Sequence, residues 1–149
     1  MKKFLFAFIF FISSCGYQPI YINNNLKNFE FNKIITEGES DINRKIIKSV
    51  LFKENRTNAL LNQLLLKSSF KVEETSKNKK GQVNSYRSSI IINLSINKDN
   101  EVIKNKSFLG EFTYNNKENK FELVEYQAGI KEDLINQVIE EIILYLNLQ

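Results

Sequence analysis

The chain has 149 residues, with 21 Lys and Arg against 17 Asp and Glu, no histidine, no tryptophan and a single cysteine. The length suits one domain. Without histidine the chain lacks the base of most hydrolase triads and a principal zinc ligand. One cysteine permits no internal disulfide, and no concentrated basic face of the kind a nucleic-acid binder carries is evident. The expectation is therefore a non-enzyme with no metal, no cofactor and no nucleic-acid partner.

Residues 1–15 read MKKFLFAFIFFISSC. Lys2 and Lys3 form a positive n-region. Phe4 to Ile12 is an uninterrupted apolar run, too short for the about 20 residues that span a bilayer. Ile12-Ser13-Ser14-Cys15 then has the lipobox pattern of bacterial lipoproteins, with small residues before a thiol that takes up a diacylglyceryl group. The expectation is a signal peptide over 1–14, cut before Cys15, and a lipidated tether over 15–28. Each buried CH₂ of the acyl chains adds ~0.8 kcal/mol, and more than one chain gives stable anchoring. Gly16 stands where an Asp retains many lipoproteins at the inner membrane, which favours an outer-membrane, periplasm-facing anchor. Removing Lys2 and Lys3 leaves 19 basic residues against 17 acids, close to neutrality.

Pro19 biases its predecessor toward extended geometry, and Asn23-Asn24-Asn25 breaks any element. A first strand is expected at about 29–36, from the alternation of Phe29, Phe31 and Lys33 with Glu30 and Asn32. Asp41 suits a helix N-cap. Ile42, Ile46 and Val50 follow on one helical stripe, with Ile47 and Leu51 beside it. Lys53 to Asn58 interrupts the pattern, and Leu60, Leu61, Leu64 and Leu65 resume it to about Lys67. The sequence leaves open one bent helix or two consecutive ones.

Phe70, Val72 and Glu74, alternating with Lys71 and Glu73, suggest a second strand. Thr75 to Asn84 reads as an exposed loop. Ile90, Ile92, Leu94 and Ile96 give the third strand one wholly apolar face. Lys98-Asp99-Asn100 makes a tight turn into a fourth strand over Glu101 to Asn115, where Phe108, Gly110, Phe112 and Tyr114 share a face. Ile130, Leu134, Val138, Ile142 and Leu146 then repeat every fourth residue, widened by Ile135, Ile139 and Ile143. Burying each large apolar side chain is worth about 1.5–3 kcal/mol, so this last helix must dock on the apolar sheet face. The expected fold is α+β: a two-layer sandwich over 29–149, with a four-stranded mixed sheet and two main helices on one face.

Cys15-Gly16-Tyr17-Gln18-Pro19-Ile20-Tyr21 resembles the mature N-terminus of the LPS-assembly lipoproteins (LptE, also called RlpB). The element order resembles that family's two helices on a four-stranded sheet. Phe112-Thr113-Tyr114-Asn115 resembles the end of its last strand. The resemblance implies a non-enzymatic outer-membrane lipoprotein that plugs and helps assemble a large β-barrel, LptD, and contacts lipopolysaccharide on its way to the outer leaflet. It also points to glycolipid contacts, since phosphates favour Arg and Lys: Arg87 at the entry to the third strand, and Lys117 and Lys120 between the last strand and the last helix. The same three residues also read as solvated surface charges. The position aligned with a family lysine is Leu123 here. Tyr114 and Tyr126 fit either a barrel interface or the core and its rim. An alternative from the same features is an auxiliary lipoprotein of an envelope lipid ABC transport system. A lipidated enzyme needs a convergent carboxylate pair, and the acids here are scattered.

Overall fold

The computed structural model describes residues 29–99 and 101–148. The signal peptide, Cys15, the tether and Asn100 of the expected turn lie outside the described residues. The expected first strand is two strands. β1 (Phe29–Phe31) pairs in parallel with β3 (Phe52–Glu54), and β2 (Lys33–Gly38) joins the main sheet. The β1–β3 pair is held by edge-to-face rings, Phe29 and Phe31 lying 6.1 and 5.5 Å from Phe52. Between β2 and β3 runs α1 (Ser40–Val50), whose buried Ile42, Ile46 and Val50 form the expected stripe. The helix begins before Asp41: Glu39 occupies the N-cap position, without a capping side-chain bond, and Asp41 sits in the first turn. Leu51 stops α1 in the left-handed conformation, φ 60°, with its N–H donating to the Ile47 carbonyl.

The main sheet has the order β2-β4-β5-β6. β4 (Gln63–Lys77) runs parallel to β2, and β5 (Val83–Lys98) and β6 (Glu101–Asn115) continue antiparallel, making the sheet mixed. The segment from Leu60 to Lys67 is therefore not helical. Leu64 and Leu66 are fully buried while Leu60 is 90% exposed, a period of two that begins only at Gln63. A short leucine-rich run does not distinguish helix from buried strand by periodicity. Here it sits between two hydrogen-bonded neighbours and gains its ladder from both. The expected loop from Thr75 to Asn84 shrinks to residues 78–82, because β4 and β5 pair as far as Lys77 and Val83. That turn is closed by Asn78, whose Oδ1 accepts from the N–H groups of Lys80 and Gln82, and by Gly81 at φ 79°.

α2 (Lys120–Asn147) starts ten residues before its apolar stripe. The Asn119 side chain explains the early start by accepting the Phe121 N–H at 2.9 Å, a proper N-cap. From Ile130 onward α2 buries Leu134, Ile135, Val138, Ile139, Ile142 and Leu146 on Ile90, Ile92, Leu94 and Phe108. Gly110 lets this helix come close, since a Cβ there lies 3.1 Å from Ile90 Cγ2 and 3.3 Å from Leu134 Cδ2. α1 and α2 are tied at their exposed sides by Lys131–Asp41 at 2.8 Å and by Lys45–Glu132. Both helices cover one face of the sheet, and the expected α+β sandwich is the observed one.

Candidate interaction surfaces

Strand alternation sorts the sheet into two faces. Even-numbered residues of β4 and β5 meet the helices, and the odd-numbered ones form an open face. In its middle Ser69, Ser89, Asn93 and Ser95 surround Ile91, which pairs with Leu109, and Lys67, Lys71 and Glu111 stand opposite Asn93 and Ser89 on the flanking strands. Ile91 and Leu109 are 38% and 52% exposed. Lys67 on β4 pairs with Glu37 on the edge strand β2 at 3.3 Å. Arg87 lies on this face, its Nε donating to Thr113 Oγ1 at 3.4 Å. Glu73 is its cross-strand neighbour on β4, yet Arg87 takes part in no ion pair among the described residues.

The junction of β6 and α2 carries a chain of rings. Tyr114 stacks on Tyr86 at 5.9 Å and on Phe112 at 6.4 Å, and meets Tyr126 edge-on at 5.7 Å. Tyr114 is 5% exposed and its hydroxyl bonds Ser88 Oγ at 3.1 Å, so it belongs to the core. Tyr126 is a rim residue. Lys117 is parked over the Tyr126 ring, 4.5 Å from its centroid, a cation–π contact. Lys120 opens α2 and is exposed. Arg87 points from the open face, so the structure does not gather the three cations into one site. Leu123 packs against the core.

Between α2 and the end of β6 lies a cleft of about 690 Å³. Its floor is apolar, made by Phe112, Tyr126, Ile130 and Leu134. Its walls carry Glu111, Glu122, Glu125 and Asp133, with Lys117 as the single basic residue of the lining. Sequence reasoning missed this cleft. The signal was the spacing of Glu122, Tyr126, Gly129 and Asp133 along one stripe, legible once Asn119 is read as the cap of a longer helix. Among the described residues no three Asp, Glu or Cys side chains are grouped to hold a metal ion. No helix among them is long and apolar enough to cross a membrane.

The arrangement defines a class: a two-layer α+β domain with both helices on one face of its sheet. No protein-family model matches the chain, and no curated protein matches it. Solved structures do. The rare lipoprotein B of Shewanella oneidensis superposes with a TM-score of 0.57 at 12% identity, covering 78% of this chain and 96% of that one. A minor lipoprotein of Acinetobacter baumannii gives 0.56 at 9% identity over 78% and 88%. An uncharacterized lipoprotein B of Nitrosomonas europaea gives 0.52 at 8% identity over 85% and 88%. The fold is thus the one seen in the rare lipoprotein B structures, in agreement with the resemblance carried by Cys15 to Tyr21 and the element order.

Proposed function

We propose that the chain is an LptE-like lipoprotein, anchored through Cys15 in the outer membrane, that plugs an LptD-like β-barrel and takes part in lipopolysaccharide delivery without catalysing a reaction. The observation that carries this reading is the open sheet face. A lumen wall is polar, and a plug needs an outer surface that meets it while its core stands alone. The face is polar around Ser69, Ser89, Asn93 and Ser95, with Lys67, Lys71 and Glu111 beside them and Ile91 and Leu109 supplying a small apolar contact. The lipobox before Cys15 and the fold shared with named lipoproteins support the same reading.

Arg87 is the proposed principal contact for a glycolipid phosphate. Among the described residues its guanidinium is engaged by the Thr113 hydroxyl and keeps donors for an anion. Lys117 and Lys120 are the proposed secondary contacts, in a neighbourhood that Glu118 and Glu122 bring back to electrical balance.

The test is affinity purification of the lipidated protein from its native outer membrane. A large β-barrel is expected to come down with it. Recovery of inner-membrane transporter components in place of a barrel refutes the assignment. For the ligand, Arg87→Ala is expected to weaken lipopolysaccharide binding more than Lys117→Ala or Lys120→Ala. Equal binding by all four proteins refutes the role given to Arg87.

A further inference from the structure

We propose that the cleft beside β6 is a docking site for a basic, extended segment of a partner polypeptide, which adds as a strand to the outer edge of β6. Three independent observations meet there. First, β6 ends the sheet order, so one side of its backbone has no strand neighbour within the described residues. Edge strands of this kind invite strand addition unless guarded. The half of β6 nearest the β5–β6 turn is guarded: Lys104 and Lys106 lie there, and the pairing with β5 shifts register beside Asn97. The half from Phe108 to Tyr114 has neither lysine nor bulge.

Second, the cleft runs along that unguarded half. Glu111 and Phe112 are consecutive and point to opposite faces of the sheet, yet both line it. The cleft is therefore flush with the strand edge, where an incoming backbone reaches the free ladder. Phe112, 46% exposed, and Tyr126, 39% exposed, offer apolar surface for alternate side chains of the added strand.

Third, the charge is one-sided. Glu111, Glu122, Glu125 and Asp133 face Lys117, and Lys117 is held over Tyr126. Such a wall attracts lysine or arginine side chains spaced along a strand. It also disfavours a second copy of this chain, because antiparallel pairing of two β6 edges over this half sets two acidic clefts against each other. The inference concerns the edge of β6, which shares Glu111 with the open face, and does not depend on the barrel reading.

The experiment uses the purified full-length protein and a capped synthetic peptide of four Lys-Val repeats, with a Glu-Val peptide and a backbone N-methylated Lys-Val peptide as controls. Binding is followed by fluorescence anisotropy, and protection of the amides from Phe108 to Tyr114 by hydrogen exchange. The Lys-Val peptide is expected to bind and protect these amides, and to weaken steeply with added salt. Glu125→Lys combined with Asp133→Lys is expected to weaken it by about tenfold or more. Both positions are exposed, and an unchanged circular dichroism spectrum and thermal midpoint certify the fold of the variant. Binding of the two charge types alike, or none, overturns the proposal. Binding that survives N-methylation overturns the strand pairing, and a dimer formed through β6 in the absence of peptide overturns the choice of partner.

Discussion

Gly38→Ala probes the joint that sets the whole architecture, where β2 turns into α1. Gly38 has φ +84°, and a Cβ placed on it lies 1.8 Å from the backbone oxygen of Ser68 on β4. The left-handed conformation costs an alanine roughly 1–2 kcal/mol. The clash adds more, because the struck atom is backbone and cannot swing away. Relief requires β2 to lift from β4 at the Gly38–Ser68 register position. The same movement strains two bonds that stitch the joint: Asn43 Nδ2 to the Glu37 carbonyl at 2.9 Å and Ser68 Oγ to the Glu39 carbonyl at 3.2 Å. Each hydrogen bond contributes about 1 kcal/mol net, so the total loss is about 3–5 kcal/mol. Gly81→Ala is the matched control. Its φ of +79° is nearly the same, but its Cβ meets nothing within 4 Å, so only the conformational cost of about 1–2 kcal/mol applies. The gain from restricting the unfolded chain is common to both variants and cancels. Urea unfolding of the two proteins is the assay. Equal midpoints for Gly38→Ala and Gly81→Ala would show that the close approach of β2 to β4 contributes nothing.

Val138→Asp sets a charge at a position with no solvent exposure and no cation beside it among the buried residues, a very costly burial. Loss of the cooperative thermal transition is expected, and a wild-type Tm contradicts the docking face of α2. Asn119→Ala removes the α2 cap and is expected to cost about 1 kcal/mol in urea; no change means that the early turns of α2 do not depend on it. The Lys131 ammonium, hydrogen-bonded to Asp41, holds that carboxyl below its ordinary pKa. A lowered folded-state pKa stabilises the fold above the ordinary carboxylate range, and that contribution fades as the pH falls through and below it. Asp41→Asn is therefore expected to be slightly less stable than wild type at pH 7, by under about 1 kcal/mol for so exposed a pair, with the gap closing in strong acid. A gap that widens in acid reverses the argument. Cys15→Ser is expected to abolish acylation, read by mass spectrometry of the membrane fraction, and normal acylation of the variant removes the lipobox assignment.

The fold was legible wherever one face of an element is buried and the other is wet. Ile90, Ile92, Leu94 and Ile96 alternate because β5 has helices on one side only, and Ile130 to Leu146 repeat every fourth residue because α2 lies on that sheet. Legibility failed where both faces carry apolar residues or a distant partner decides. Leu64, Leu65 and Leu66 form an unbroken run because Leu65 sets an apolar side chain on the open face between two buried ones, and nothing local distinguishes that run from a turn of helix. Asp41 has the chemistry of a cap, but Gly38 turns the chain early enough for Glu39 to occupy the position. Asn119 supplied a true capping signal, hidden because the ten residues after it expose Phe121 and Val124 and break the amphipathic pattern.

The same distinction explains the interaction surfaces. Arg87 was singled out by the family resemblance at the entry to the third strand, and the β5–β6 register then places it beside Thr113. The acidic cleft was not singled out, because its wall is assembled from Glu111 on β6 and Asp133 on α2, more than twenty positions apart. A near-neutral total conceals it: the cations that balance these carboxylates are spent elsewhere, Lys131 on Asp41 and Lys45 on Glu132 at the α1–α2 seam. Folding thus separates charges that composition averages. The lysines at the helix seam tie α1 to α2, and the carboxylates left beside an unguarded strand edge form a surface with a definite sign. The basic partner proposed for that surface would approach along the strand edge, to one side of Ile91 and Leu109 on the open face.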